Sequence, residues 1–193
     1  LPAFLEQVIT AFAQQDRLGA VNGLLLRCNA LPGDGDQIDS AGLYLTRTLR
    51  QRLRHEGQVV HTLDLQPAPI FGPDGAAAVY RRAMLDDIAI EGAVFDDNFF
   101  LHKEDVDICW RAQKRGWEAL FLPQARAYHI RHFRAGQRLN VSAQLRYYGV
   151  RNRYLLLVKN ASWQVLLRRL PFILAYDLAI FVYLVLFERA SLR

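Results

Sequence analysis

An almost uncharged run, LPFILAYDLAIFVYLVLF at 170–187, limits most strongly what this chain can fold into. A helix that crosses a bilayer needs about 20 mostly apolar residues, and this run is at or below that length and contains Asp177. Arg168 and Arg169 precede it and Arg189 follows it. The pattern favours a helix that lies in the membrane interface or re-enters it, with a helix packed on a soluble core as the alternative.

Charge is distributed unevenly along the chain. The net charge is +5, but residues 1–110 carry 9 Lys and Arg against 16 Asp and Glu, whereas residues 111–193 carry 15 against 3. The basic part therefore suits an anionic surface. Its basic residues alternate with long aliphatic runs and not with stacking aromatic residues on strands, which indicates a membrane surface and no nucleic acid partner.

The order of predicted elements indicates an α/β fold. Hydrophobic residues make up 52% of the chain, which is enough for a packed core, and Cys28 and Cys109 are expected to be small residues of that core. The predicted elements are a helix at 3–15, a buried strand at 20–28, a loop at 31–42, an exposed basic loop or short helix at 47–58, a helix-forming run after the turn at 72–75, short strands at 118–123 and 125–130 on either side of Pro123, and a basic amphipathic helix at 143–159.

The stretch HKEDVDICWRAQKRGW at 102–117 places three carboxylates within four positions. As a helix beginning near residue 102 or 103, it has Glu104 and Asp105 in its first turn, where the helix dipole stabilises carboxylates, and it ends at Gly116. Asp107 can pair with Arg111 on one face. A general base is equally consistent with the pattern, because the preceding FDDNFF sets further carboxylates among aromatic side chains, and such crowding raises a carboxyl pKa.

Two other features have structural and functional interpretations. Asp34-Gly35-Asp36 has the form of a metal-binding D-x-D, but aspartate in a glycine-rich turn is typical of turn chemistry. His129 and His132 follow a predicted strand and are either metal ligands or surface residues.

Four segments together resemble a known family. FGPDGAAAVYRRAML, FDDNFFLHKEDVDICWRAQKRGW and FLPQARAYHI are similar, in order and spacing, to the acceptor-side half of inverting family 2 glycosyltransferases with a GT-A fold, and most similar to the bacterial rhamnosyltransferase-like members. YYGVRNRYLLLVKN resembles the stretch that follows their catalytic domain. The resemblance covers about residues 20 to 165.

The resemblance implies roles for individual residues. Asp105, with Glu104 beside it, would be the general base that deprotonates an acceptor hydroxyl, which then attacks a nucleotide-sugar with inversion. A divalent metal, Mg or Mn, would hold the diphosphate, and His129 matches the place of a metal-approaching histidine. The residues implied for the substrate cleft are Asp74, Gly75, Ala76, Arg111 and Trp117.

The resemblance also implies how the chain is organised and where it works. Residues 1–140 would be part of a GT-A domain whose nucleotide-binding front half, with its D-x-D, lies before residue 1, so we expect the chain alone to be inactive. Residues 141–193 would be a helical, membrane-associating segment. The expected partners are a nucleotide-sugar and a glycan or lipid-linked acceptor, at the cytoplasmic face of a bacterial inner membrane.

Overall fold

The computed structural model describes residues 2–28, 36–130 and 142–187. Five α-helices, seven strands and two short 3-10 helices, Val60–Thr62 and Asp97–Phe99, are present in these ranges. In chain order the α-helices and strands are α1 Pro2–Gln14, β1 Leu18–Arg27, β2 Ile38–Ser40, β3 Leu43–Leu45, β4 Gln51–Leu53, β5 Ala68–Pro69, β6 Ala78–Tyr80, α2 Arg82–Ile88, α3 Glu104–Lys114, β7 Glu118–His129, α4 Ala143–Asn160 and α5 Trp163–Phe187.

A mixed five-stranded sheet forms the centre, with β1 as its middle strand. Nine of the ten residues of β1 are buried, as expected for a continuous apolar run in a strand covered on both faces. β1 pairs in parallel with β7 on one edge, and with β6 and β2 in antiparallel fashion along the other, while β5 pairs with β7. The predictions of a helix at 3–15 and a buried strand at 20–28 are confirmed.

Helices cover both faces of this sheet, because successive side chains of a strand point to opposite sides. Val21 of β1 packs with Phe4 and Val8 of α1, whereas the neighbouring Ala20 packs with Met84 of α2 and Ile108 of α3. The prediction of an α/β fold is confirmed at this level.

β7 is one strand of 12 residues, and the prediction of two strands separated at Pro123 is wrong. The pairing with β1 passes from Gly23 opposite Leu122 to Leu24 opposite Arg126, so the intervening residues form a bulge. Proline has no N–H to donate to a ladder, and a bulge accommodates it without ending the strand.

Four further predictions are corrected. The basic segment 47–58 contains β4, which pairs with β3 in a hairpin, and Leu49 of its turn is buried against Leu157 of α4 and Ile173 of α5. β2 lies within the predicted loop 31–42, and β6 forms the start of the predicted helical run after 72–75. Short strands of three residues have too few alternating positions to produce a readable pattern. Cys109 is buried as expected, but Cys28 is exposed.

The C-terminal helices differ from each other in burial. α4, predicted at 143–159, is held against α3 by side chains described below, and Ser142 caps its first turn by accepting from the N–H of Leu145. α5 begins at Trp163, earlier than the apolar run 170–187 indicates, and only Ile173 and Leu184 are buried in it. Most of α5 is therefore not covered by the rest of the described chain.

Candidate functional site

The segment that leads into α3 has an unusual backbone. Phe100, His102 and Lys103 all have positive φ, at 52°, 68° and 74°, which residues other than glycine rarely adopt. The amide nitrogen of Asn152 in α4 donates to the carbonyl oxygens of Phe99, Leu101 and His102 at 2.7, 2.7 and 2.9 Å. α4 therefore holds the strained segment that sets the direction of the first turn of α3.

Asp105 joins this first turn to the turn at 74–76. Its Oδ2 accepts a hydrogen bond from the N–H of Gly75 at 3.1 Å, and its Oδ1 accepts from the N–H of Val106 at 2.8 Å. Both donors are backbone groups, and neither carries a charge. Burial, together with the negative charges of Glu104 and Asp74, raises the pKa of Asp105 to about 6 against the two hydrogen bonds, which lower it.

The turn at 74–76 is fixed to the sheet by a residue that sequence analysis missed. Asn22, fully buried on β1, accepts a hydrogen bond from the N–H of Asp74 at 2.8 Å. Asp74 is buried as well, and its Oδ1 accepts from the N–H of Ala76 at 3.3 Å. A polar residue within the apolar run AVNGLLL was the signal that could have found it, because a buried amide needs partners.

These residues border an open cavity of about 580 Å³. Its walls come from the β3–β4 hairpin, the turn at 74–76, the start of α3, and helices α4 and α5. Of the residues predicted for the site, Asp105, Glu104, Asp74, Gly75 and Ala76 line it. The other residues on its wall are Leu43, Arg50, Gln51, Arg52, Leu53, Glu56, His102, Lys103, Gly149, Val150, Arg153, Tyr154, Tyr176, Asp177 and Ile180.

Arg111 is not among the residues that line the cavity. Its Nε donates to Asp107 Oδ2 at 2.8 Å, and its terminal nitrogens donate to the carbonyl oxygens of Ile88 and Val94. The predicted pairing of Asp107 with Arg111 is confirmed, but the guanidinium is buried and joins α3 to the segment after α2. The structure thus does not place Arg111 where the cleft role would require it.

Trp117 also lies outside the cavity wall. Its Nε1 donates to Asp87 Oδ2 at 2.8 Å, and the Arg17 guanidinium lies over its ring, 5.5 Å from the centroid. The indole packs with the cluster of Met84 and Ile108 between the sheet and helices α2 and α3. Its surroundings are those of a packing residue.

His129 ends β7 and is held by a buried carboxylate. Its Nδ1 lies 2.8 Å from Oδ2 of Asp39, a fully buried residue of β2. Arg27 extends the contact toward the cavity, since its Nε is 4.0 Å from Asp39 Oδ1 and its Nη2 is 3.8 Å from Oε1 of Glu56, a cavity residue.

The residues that the structure describes do not together form a metal site, since no group of three or more His, Cys, Asp or Glu side chains among them is placed to hold an ion. With its Nδ1 held by a carboxylate, His129 has Nε2 left to bind a metal and would supply one ligand. Asp34, Gly35 and His132 lie outside the described residues, and Asp36 is exposed.

Sequence analysis missed the contribution of the hairpin and the C-terminal helices to the cavity. Arg50 comes from the hairpin, Arg153 from α4, and Tyr176 and Asp177 from α5. The Arg153 guanidinium lies over the Tyr176 ring at 4.9 Å, and its Nη1 is 2.7 Å from Asp177 Oδ1. An acid inside an apolar helix and an arginine in the preceding amphipathic helix are the signals that could have suggested this pair.

Comparison with known proteins does not assign the chain to a family: no protein-family model matches it, and no curated protein matches it either.

Proposed function

We propose that this chain is the acceptor-side part of an inverting family 2 glycosyltransferase with a GT-A fold, and that Asp105 is its general base. The observation that carries the proposal is the position of Asp105. Its carboxylate borders an open cavity, is oriented by two backbone N–H groups, and has a pKa raised to about 6. A base with that pKa is mostly ionised at neutral pH and still binds a proton more tightly than an ordinary carboxylate.

The reaction that this geometry supports begins at the acceptor hydroxyl. As the hydroxyl oxygen forms a bond to the anomeric carbon of a nucleotide-sugar, its proton passes to a carboxylate oxygen of Asp105. The bond from the anomeric carbon to the nucleoside diphosphate breaks on the opposite face, so the configuration inverts. The N–H groups of Gly75 and Val106 hold the carboxylate in place, and a base positioned in advance lowers the cost of reaching the transition state.

Glu104 supplies a second carboxylate on the same wall. Its Oε2 is buried, and none of the described residues forms a hydrogen bond with it. A buried oxygen without a donor gains from one that a substrate brings, so we assign it a hydrogen bond from a sugar hydroxyl of the acceptor. Its charge also raises the pKa of Asp105, which strengthens the base.

The donor side of the proposal includes a divalent metal, Mg or Mn, with His129 as a ligand. The Asp39 carboxylate supports the orientation of this imidazole. A single imidazole does not complete a metal site, so the described residues do not fit the ion on their own, and no step above depends on it. The nucleotide-sugar itself remains part of the proposal.

The proposed location is the cytoplasmic face of a bacterial inner membrane. α5 is 25 residues long with a mean hydropathy of 2.3 in its most apolar window, and 11% of that window is buried. By length and composition, this one helix of the described chain is apolar enough to associate with a membrane. Such an association would bring the cavity, which α5 helps to form, to a lipid-linked acceptor.

The test uses protein expressed from the complete reading frame of its gene, in membranes or detergent, with a panel of nucleotide-sugars and acceptors. Asp105→Asn should lower the transfer rate by about 10²- to 10⁴-fold, because the amide does not accept the proton. Asp86→Asn, at an exposed carboxylate paired with Arg82, is the matched control and should leave the rate unchanged. An undiminished rate in Asp105→Asn contradicts the assignment of the base.

A non-catalytic module that binds membrane surfaces is the second candidate, and the exposed apolar surface of α5 favours it. Under this function, binding to anionic vesicles persists and no nucleotide-sugar is consumed by the complete reading frame. Asp105-dependent transfer in the experiment above would exclude it as the whole function.

A further inference from the structure

Three cations from three different elements line the cavity, and together they are called its basic side here. Arg50 lies on the β3–β4 hairpin, Lys103 immediately before α3, and Arg153 on α4. The charges of Arg50 and Arg153 both act on the Lys103 ammonium. Cations gathered from separate elements around one space repel each other, so an anion between them would stabilise the arrangement.

Arg153 is built into this wall and still has a donor to offer. The residue is 7% exposed, its Nη2 donates to the carbonyl oxygen of Thr48 at 3.0 Å, and its Nη1 pairs with Asp177. Its Nε is buried and has no hydrogen-bond partner among the residues that the structure describes. A buried guanidinium N–H without an acceptor is costly, and an oxygen of a ligand in the cavity would remove that cost.

Lys103 is the least paired of the three cations. In the described part of the chain, no side chain or carbonyl forms a hydrogen bond or ion pair with its ammonium, and the residue lines the cavity. Burial, with the charges of Arg50 and Arg153, lowers the pKa of Lys103 to about 8, against the charges of Asp105 and Glu104, which raise it. The side chain therefore carries its charge at neutral pH at a cost that an anionic ligand would offset.

Aromatic and apolar side chains line the cavity next to these cations, and the apolar surface continues along α5. Tyr154 of α4 and Tyr176 and Ile180 of α5 line the cavity. Beyond them α5 exposes a series of large apolar side chains, which are Val165, Leu167, Leu170, Phe172, Leu174, Leu178, Phe181, Val182, Leu186 and Phe187. An anion bound here would lie where the cavity meets the apolar helix, as the head group of an anionic lipid does at a membrane surface.

We infer that the cavity binds the phosphate of a lipid-linked acceptor, with Lys103 and Arg153 donating to the phosphate oxygens, Arg50 adding charge, and α5 contacting the lipid chain. This inference rests on the proposed function for the presence of an acceptor hydroxyl near Asp105, and it narrows the acceptor to a lipid phosphate or diphosphate.

Vesicle binding tests the inference without requiring transfer. The complete protein is titrated with phosphatidylcholine vesicles that contain either a long-chain isoprenyl phosphate or phosphatidylglycerol at equal surface charge. We expect tighter binding to the isoprenyl phosphate, and a loss of about tenfold in that affinity in Lys103→Gln, which removes a charge-assisted hydrogen bond without breaking a contact within the fold. Arg168→Gln, at an exposed cation of α5 outside the cavity, is the matched control and should weaken binding to both vesicles equally.

If Lys103→Gln and Arg168→Gln lower the affinity for both kinds of vesicle by the same factor, the inference is overturned, because the binding then reflects surface charge alone. Soluble phosphates form the second arm, since the donor also carries a diphosphate. Inorganic pyrophosphate and a nucleoside diphosphate are titrated as competitors. Lys103-dependent binding of the nucleoside diphosphate with no Lys103-dependent binding of the lipid would assign the basic side to the donor and overturn the lipid inference.

The same variants separate this inference from the proposed function. Asp105→Asn should lower the transfer rate as stated above but strengthen binding of the isoprenyl phosphate, because it removes a negative charge from the cavity. If transfer depends on Asp105 but lipid binding is unchanged in Lys103→Gln, only the inference of a bound lipid phosphate is overturned. If lipid binding depends on Lys103 but transfer is unchanged in Asp105→Asn, only the assignment of Asp105 as the general base is overturned.

Discussion

Asp105 and Asp107 lie two residues apart in the first turn of α3, yet their carboxylates have opposite surroundings. Asp107 is 1% exposed and accepts from Arg111, Lys159 and Asn160 at 2.8 to 2.9 Å. Asp105 accepts from two backbone N–H groups and borders the cavity. Residues two apart on a helix point to different sides, so one carboxylate faces α4 and the other faces the turn at 74–76.

This difference gives Asp107 a structural role and leaves Asp105 as the candidate for the proposed chemistry. Two cations and an amide surround Asp107, and the ammonium of Lys159 also lies 2.6 Å from Asp96. That network fastens α4 to α3, and α4 in turn holds the strained segment before α3 through Asn152. Among the described residues no cation forms a salt bridge with Asp105, and its pKa stays raised, which costs stability and is useful to a base.

The largest expected effect on the difference between the two carboxylates comes from removing the charge of Asp107. Asp107→Asn leaves Arg111 and Lys159 largely buried with one less counter-charge, and breaking a buried pair in this way typically costs about 3–5 kcal/mol. We expect a loss of that size in the free energy of unfolding, measured by chemical denaturation. Asp86→Asn at an exposed pair is the control and should leave the unfolding midpoint where it is. A midpoint for Asp107→Asn equal to that of the control would show that the network does not hold α4.

Asn152 connects the two carboxylates, because it links α4, which the Asp107 network holds, to the segment that precedes Asp105. Asn152→Leu removes the donor to three carbonyl oxygens of the positive-φ segment, and buried carbonyls left without a partner cost about 1–3 kcal/mol. Stability should fall by that amount, and hydrogen exchange at the N–H groups of the first turn of α3 should become faster. Unchanged exchange there would mean that the segment keeps its conformation without α4.

The pH dependence of transfer tests the environment of Asp105 directly. With a pKa of about 6, the base is protonated in acid, so the rate should fall tenfold for each pH unit below about 6 and stay level toward neutral pH. An acid limb near pH 4 would show that the carboxyl is not buried as described. Glu104→Gln removes one of the charges that raise this pKa and should move the limb to lower pH.

The smallest expected effect is on stability at Asp105 itself, and its sign is opposite to that at Asp107. A carboxyl pKa raised from 3.8 to about 6 stabilises the fold below about pH 4, and this contribution is lost as the pH rises through 6. At neutral pH, Asp105→Asn should therefore raise the free energy of unfolding by about 1 kcal/mol, since the amide keeps one acceptor and avoids the buried charge. Denaturation at neutral pH and at pH 4 checks this, because the gain should disappear at the lower pH. A loss of stability at neutral pH would place Asp105 in the same structural class as Asp107.

Much of the scaffold could be predicted from the sequence, because the longer elements have clear periods. The helix at 3–15, the buried strand at 20–28, the start of α3 and the helix at 143–159 follow from the spacing of apolar residues and from capping signals. The hairpin at 43–53 and the continuous strand across Pro123 could not be predicted, because short strands and bulges depend on partners that are distant in sequence.

The candidate site divides in the same way. Asp105, Glu104 and the turn at 74–76 were predicted and line one cavity, whereas Arg111 and Trp117, predicted for the same cleft, make contacts elsewhere. Helical spacing showed that Asp107 and Arg111 share a face, but it did not show which face is buried. That depends on α4, whose side chains are more than 40 residues further along the chain.

The sequence by itself determined where the helices and the central strand form, and that carboxylates gather at the start of one helix, because these properties depend on neighbours a few residues apart. Only the tertiary structure decided which carboxylate is neutralised and which borders a cavity. It also brought Arg50, Lys103 and Arg153 together beside an exposed apolar helix. The physical reason is that burial and pairing set the energy of a charge, and both are supplied by segments that meet only when the chain folds.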